Sequence, residues 1–367
     1  MKSKKRILII TSEFPPQPGG IGNHAYNLAL QLSRNDHPVT VIVDERSLNG
    51  EEESLFDMDL PFEVQRIKIT SPRFLMYFKR LKQVDKSIKK VSTVIATGKF
   101  SLWTAAFFSL FFNRYFIAII HGTEVNFKSL LLKISINLSL KRFNTVIAVS
   151  NYTKCLVDHL DLNIKVIPNG FNPDKFKSDL NKDVLPLTGY PKLITVGNVT
   201  ERKGQKNVIH HLPNLIKAYP EIHYHCVGIK TEAAEFEIIA KRLDVNRHVT
   251  FHGRLSDQDL QFMLDGSDIF VMLSSETRSG DVEGFGIAIL EANALGVPAI
   301  GASGCGIEDA IAVGKSGLLV DPLNQEAFLE AVATILNEKN VFTAGAKSWA
   351  EKHKWSNIIN NYLECIP

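Results

Sequence analysis

The sequence predicts an α/β protein with two doubly wound parallel sheets, and two observations lead there. Short apolar runs alternate from end to end with longer stretches of helical period, the pattern of βαβ units. A polar, turn-rich segment, 177–191, carries Pro186, Gly189 and Pro191 and divides that alternation into two sets, which reads as an interdomain linker. A length of 367 residues agrees with two domains at roughly 100–200 residues each.

Taken in order, Ile7–Ile10 reads as a buried first strand, followed by a Pro/Gly loop and a helix from about Asn23 to Leu32. Val39–Val43 is the next strand, and Val94–Ile95 leads into a Phe-rich helix. Phe116–Ile120 and Val146–Val149 are further strands, the second ending at Ser150, a helix N-cap residue type. After the linker the strands are Leu193–Val196, Tyr224–Val227, Val249–Phe251, Ile269–Met272 and Pro298–Ile300.

Apolar residues at 45% and charged residues at 22% exclude collagen-like, disordered and polytopic membrane classes. The apolar run after MKSKKR is too short for a signal peptide, and Glu13 interrupts it. Cys155, Cys226, Cys305 and Cys365 show neither metal-type spacing nor a disulfide framework, so reduced thiols in the cytoplasm are expected. Charge is uneven. Residues 1–180 hold 25 Lys+Arg against 16 Asp+Glu, and the remainder 17 against 23. Over 66–142 the balance is 15 to 2, a field that attracts phosphates or an anionic surface.

Four segments carry candidate chemistry. Gly19-Gly20-Ile21-Gly22 opens the first helix, where free backbone N–H groups favour an anion. His121-Gly122-Thr123-Glu124 follows a strand and therefore lies at its carboxyl end, where open α/β sheets bind ligands. Arg202 and Lys203 on the loop after Leu193–Val196 supply a bidentate fork and a point charge, which together suit a diphosphate. Glu283 and Glu291 flank a Gly-rich helix start, Gly284-Phe285-Gly286-Ile287, whose N–H groups can also meet phosphate.

In this order, PPQPGGIG at 15–22, HGTE at 121–124, AVS at 148–150, IPNGFNPDKF at 167–176, TERKG at 200–204, FHGRLS at 251–256 and EGFGIAILE at 283–291 resemble the family-four retaining glycosyltransferases of GT-B fold, which use nucleotide sugars. The resemblance covers nearly the whole chain and implies two Rossmann-like domains facing across a cleft. Residues 1–180 would bind the acceptor, 181–351 the donor, and a closing helix at about 352–367, with Trp355, would pack back on the first domain. It implies roles residue by residue. Gly19 and Gly20 face the donor diphosphate and the acceptor. His121 bonds the donor sugar, and Arg202 and Lys203 hold the diphosphate. Glu283 holds the sugar hydroxyls, assisted by the N–H groups of Gly284, Phe285, Gly286 and Ile287. Glu291 binds the ribose, and Arg254 and Leu255 lie beside the base. His121 and Glu283 are the catalytic candidates. No cofactor or metal is expected, and Asp57-Met58-Asp59 has metal-type spacing but lies outside the family's motifs. The family commonly carries Arg where this chain has Asn198, so Arg202 is expected to share that phosphate load. Its VGxG turn reads Val227-Gly228-Ile229-Lys230. The Asp281–Gly284 context resembles mannosyl- and hexosyltransferases.

The function implied is hexosyl transfer from a nucleotide-diphosphate sugar to a glycan or lipid-linked acceptor. A nucleotide-sugar epimerase on the same fold and a non-catalytic nucleotide-binding subunit are the alternatives. Residues 73–91 place Phe74, Phe78, Leu81, Val84, Ile88 and Val91 at helical spacing among seven Lys/Arg, a pattern expected to lie on an anionic membrane. The uncharged stretch 100–113 is shorter than the ~20 residues a span needs and reads as a mostly buried crossover helix. No nucleic-acid motif is present.

Overall fold

A computed structural model describes residues 5–47, 49–176 and 187–367, so residues 177–186 of the expected linker lie outside the described residues. Two units are present, one formed by 1–169 with 355–367, the other by 170–354.

The first unit begins with β1 (Ile7–Thr11), α1 (Gly20–Arg34), β2 (Val39–Asp44), α2 (Glu51–Asp57), β3 (Glu63–Ile67), α3 (Arg73–Ile88) and β4 (Thr93–Thr97). It continues with α4 (Lys99–Phe108), β5 (Tyr115–Ile120), α5 (Leu130–Leu140), β6 (Thr145–Ala148), α6 (Asn151–Cys155) and β7 (Ile164–Val166). Its sheet is parallel, in the order β3-β2-β1-β4-β5-β6-β7. Ile9 pairs with Val41 on one side and Ile95 on the other. Every residue of β1 and β4 is buried, as required of central strands covered by helices on both faces. Ser150 caps α6 as its residue type predicts, its Oγ accepting the Thr153 N–H at 3.0 Å.

The second unit contains β8 (Lys192–Val196), α7 (Gln205–Ala218), β9 (His223–Val227), α8 (Ala233–Arg242), β10 (Val249–Gly253) and α9 (Asp257–Asp265). Then come β11 (Ile269–Met272), α10 (Ile287–Ala294), β12 (Ala299–Ala302), β13 (Gly317–Val320), α11 (Gln325–Asn337) and α12 (Lys339–Lys352). Its parallel order is β10-β9-β8-β11-β12-β13. The chain then rejoins the first unit through α13 (Trp355–Leu363), which packs on α1. Both sheets are doubly wound, as predicted.

Three strands escape the sequence reading: β3, β7 and β13. Each is an edge strand. An edge strand pairs on one side only, so it is short or carries polar residues and lacks a continuous apolar run.

The expected apolar stripe of 73–91 divides. Val84 and Ile88 are fully buried in the core and Val91 nearly so, whereas Phe74 and Phe78 are each 66% exposed. Arg80, counted with the basic face, is buried instead. It bonds Asp44, and its guanidinium sits 4.1 Å from the Phe100 ring centroid. The helical part of 100–113 ends at Phe108. Leu102 and Ala105 are buried, but Phe107, Leu110 and Phe111 face outward, so that stretch is only half a core element.

Candidate donor and acceptor sites

In each sheet the strand order reverses direction once, between β1 and β4 and between β8 and β11. At such a switch point the loops diverge to opposite faces and leave a crevice at the carboxyl ends of the strands. Most of the sequence-predicted residues fall at these two places.

In the second unit, Asn198 and the helical turn Glu201–Lys203 follow β8, and Glu283 follows β11. The structure joins the two loops. Arg202 bonds Glu283 directly, and Lys203 Nζ lies 2.7 Å from Glu283 Oε2. Burial alone would raise the Glu283 carboxyl. Lys203 and then Arg202 outweigh it and hold the group at about 2. Gly204 closes the turn at φ +79, and a Cβ there would lie 2.0 Å from the Leu273 carbonyl, so only glycine lets this loop seat against β11. Gly228 is equally confined, with a Cβ position 2.1 Å from the Gly197 carbonyl oxygen. That fixes the variant turn Val227-Gly228-Ile229-Lys230 against the loop holding the exposed Asn198.

Gly284, Phe285 and Gly286 lead into α10, whose first residue is Ile287. The Phe285 side chain is buried, so this segment offers a ligand its backbone. The first N–H groups of the helix have no intrahelical acceptor, and the helix dipole adds positive potential there. Glu291 is buried one turn further on, and Lys175 Nζ meets its Oε1 at 3.0 Å. Arg254 and Leu255 follow β10, an edge strand two places from β8, and the sheet does not bring them to the switch point.

In the first unit, Gly19 and Gly20 open α1 after β1, and His121 follows β5. A Cβ on Gly19 would come 2.5 Å from Glu13 Oε2, so a carboxylate already stands beside this glycine loop. His121 Nε2 is 2.9 Å from Thr97 Oγ1 at the end of β4, and its ring packs edge-on to His24, centroids 4.9 Å apart. His24 is itself fully buried and bonded through Nε2 to Tyr362 Oη at 2.9 Å. Burial lowers His121 to about 4, leaving a neutral imidazole at pH 7 that can both donate and accept.

Glu124, the last residue of the HGTE segment, takes no role from the resemblance. Its Oε1 accepts the His121 backbone N–H at 2.5 Å, while Oε2 is buried with no hydrogen-bond partner. Burial, opposed by backbone N–H donors, raises the group to about 7. The three-residue offset from His121 resembles a helix-capping spacing and was the available signal. The folded state therefore binds this proton more tightly than the unfolded chain does. Stability should fall as pH rises from about 4.5 to about 7, by on the order of 3 kcal/mol. Glu124→Gln should remove that slope while keeping the acceptor oxygen. Urea unfolding of both proteins at pH 5 and pH 8 checks it, and an unchanged slope would refute it.

His24, Thr97, Tyr362 and Lys175 were also missed, because distant segments bring them to the candidate residues. Asp57, of the Asp57-Met58-Asp59 spacing, pairs with Arg66 at 2.7 Å.

Two Rossmann-like sheets, with cations, carboxylates and a helix start at the switch point of the second and a glycine-opened helix at that of the first, form the arrangement of a nucleotide-sugar transferase. The comparisons agree. A family model described as Glycosyltransferase Family 4 matches residues 18–175, and one described as Glycosyl transferases group 1 matches 176–354. The chain is a family-four glycosyltransferase of GT-B fold. It is 26% identical, over 92% of its length and 90% of the relative's, to a GDP-mannose-dependent monoacylated α-(1-6)-phosphatidylinositol monomannoside mannosyltransferase of Corynebacterium glutamicum. Among solved structures it is similar to Anabaena HepE in complex with UDP and glucose, at TM-score 0.78, 17% identity and 98% coverage of both chains. It is also similar to sucrose-phosphate synthase from Thermosynechococcus elongatus, at TM-score 0.78, 16% identity and the same coverage.

Proposed function

We propose that this protein is a retaining, metal-independent hexosyltransferase that moves mannose from GDP-mannose to a lipid-linked glycan acceptor at the cytoplasmic face of a membrane. The observation that carries the donor side is the Arg202–Glu283–Lys203 cluster at the mouth of α10. A diphosphate arriving there competes with Glu283 for both cations and gathers further negative charge as it leaves, when fixed cations and the helix dipole stabilise it most. Glu283, released from the cations, turns to the sugar hydroxyls. Side chains thus supply the charge that a metal supplies in other transferases. Neutral His121, able both to donate and to accept, is the second catalytic candidate, and attack from the face the diphosphate leaves retains the anomeric configuration.

The mannosyl and lipid parts of the reading are supported by the similarity to the Corynebacterium enzyme. Incubation with labelled GDP-mannose, UDP-glucose and UDP-galactose, with membrane lipid extract and with EDTA, tests it. Label from GDP-mannose should enter the lipid phase, and EDTA should leave the rate within about twofold. Transfer only from a UDP sugar would overturn the donor assignment. Complete loss restored by magnesium would overturn metal independence. An epimerised nucleotide sugar without transfer would restore the epimerase alternative.

Membrane contact is assigned to more than residues 73–91. The outer faces of α3, α4 and α5, with the short segment after α4, expose Phe74, Phe78, Phe111, Leu130, Leu131 and Leu138. Lys79, Lys82, Lys86 and Lys133 are exposed on the same helices. Apolar side chains this numerous need a covering, and the lysines match an anionic bilayer. Among the described residues no helix is long and apolar enough to cross a membrane. Changing Lys79, Lys82 and Lys86 to Glu should abolish sedimentation with phosphatidylglycerol vesicles and leave nucleotide binding unchanged. Buried Arg80 is spared, because its loss would strand Asp44. Sedimentation like wild type would remove the membrane from this surface.

A further inference from the structure

Lys175 joins two of the family's motifs, at 167–176 and 283–291, through one contact. It lies in the helical turn Pro173–Phe176, at the end of the IPNGFNPDKF segment at 167–176, and no role follows for it from the glycosyl-transfer chemistry. Its Nζ is 3.0 Å from Glu291 Oε1 on α10, with Asp257 Oδ1 at 3.9 Å, and its aliphatic stem leaves it only partly exposed. Burial works against the ammonium. Glu291, by charge and by hydrogen bond, and then Asp257 more than offset it, so the group stays charged above the ordinary lysine range.

We propose that Lys175 is a positioning residue for the donor ribose, fixing the Glu291 carboxylate in the orientation that accepts the ribose hydroxyls. The proposal rests on the reading of Glu291 as the ribose acceptor. A carboxylate has about four lone-pair positions, and the Lys175 bond engages Oε1, leaving Oε2 to accept from a hydroxyl. A glutamate has three rotatable bonds, and an ion pair formed before binding spares the nucleotide the cost of ordering them. The ammonium also cancels the repulsion between Glu291 and the diphosphate of the same ligand. A buried carboxylate without a partner would be disfavoured where it stands.

The test is calorimetric titration of GDP and UDP, and of their 2′-deoxy and 3′-deoxy counterparts, into wild type, Lys175→Met, Lys175→Arg and Glu291→Gln, with donor kinetics alongside. For whichever ribonucleotide wild type binds more tightly, Lys175→Met should weaken binding about tenfold, raise the donor KM in step and leave kcat within about twofold. The preference for ribose over the deoxyriboses should collapse toward one, and Lys175→Arg should recover most of it. A merely structural role would weaken ribo- and deoxynucleotides equally, and that result overturns the proposal. Glu291→Gln separates the two levels. If it keeps the ribose preference, the reading of Glu291 fails and Lys175 falls with it. If it loses the preference while Lys175→Met keeps it, Lys175 alone is misassigned. Thermal melting of each variant identifies any loss of fold, in which case Lys175→Arg decides by the same criterion.

Discussion

Lys203→Ala should lower turnover by about 10²–10³ and weaken binding of the donor diphosphate. Lys203 is mostly buried, only 15% of its side chain being exposed, and its charge acts where water screens it little. Its stem crosses Gly197, where a Cβ would come 3.0 Å from Cε, so the backbone itself steers the ammonium toward the α10 mouth. Removing it leaves Glu283 with Arg202 alone. The leaving diphosphate then gathers its charge against one cation rather than two. Lys203→Arg should recover part of the loss, since the charge is kept and only its shape changes. Steady-state kinetics with the accepted donor, beside nucleotide titrations, measure both effects. Wild-type turnover in Lys203→Ala would remove this residue from the site.

Glu283→Gln should lower kcat by about 10²-fold while nucleotide diphosphate binds as well as before or more tightly. The reason lies in the two ion pairs. Glu283 is paired with Arg202 and Lys203, and in the proposed reaction the diphosphate competes with it for both, so a neutral side chain removes the competitor. What is lost is the carboxylate proposed to meet the sugar, whose ring charge changes in the transition state. Glu291→Ala should do the reverse, raising the donor KM with kcat nearly kept, because its proposed partner is the ribose. Identical kinetic phenotypes for the two variants would contradict this division. Acid stability offers a second view. Glu283 is held at about 2, so the stability its ion pairs contribute is present above about pH 4.5 and is lost as pH falls toward 2. Glu283→Gln should have a shallower acid limb.

The central strands were legible in the sequence because β1, β4, β5 and β6 are buried on both faces and read as continuous apolar runs. The loops after β1, β5, β8 and β11 were legible too, since glycines and charges at the carboxyl ends of strands have few uses apart from turns and ligands. Periodicity alone misled on 73–91. Helical spacing places Phe74 and Ile88 on one stripe, but only the sheet decides how much of that stripe it covers.

The sequence by itself determined the two doubly wound halves, the order of the motifs and the residue types at each strand end, because these follow from local patterning and chain order. Tertiary structure alone decided which charges meet. Arg202 reaches Glu283 across 81 residues, Lys175 reaches Glu291 across 116, and Tyr362 reaches His24 across 338. Such pairings depend on which strand ends adjoin at a switch point and how far a side chain reaches. A linear pattern records neither. Packing then sets the protonation of each group: burial keeps His121 neutral, and the Lys203 and Arg202 partners keep Glu283 charged against its burial.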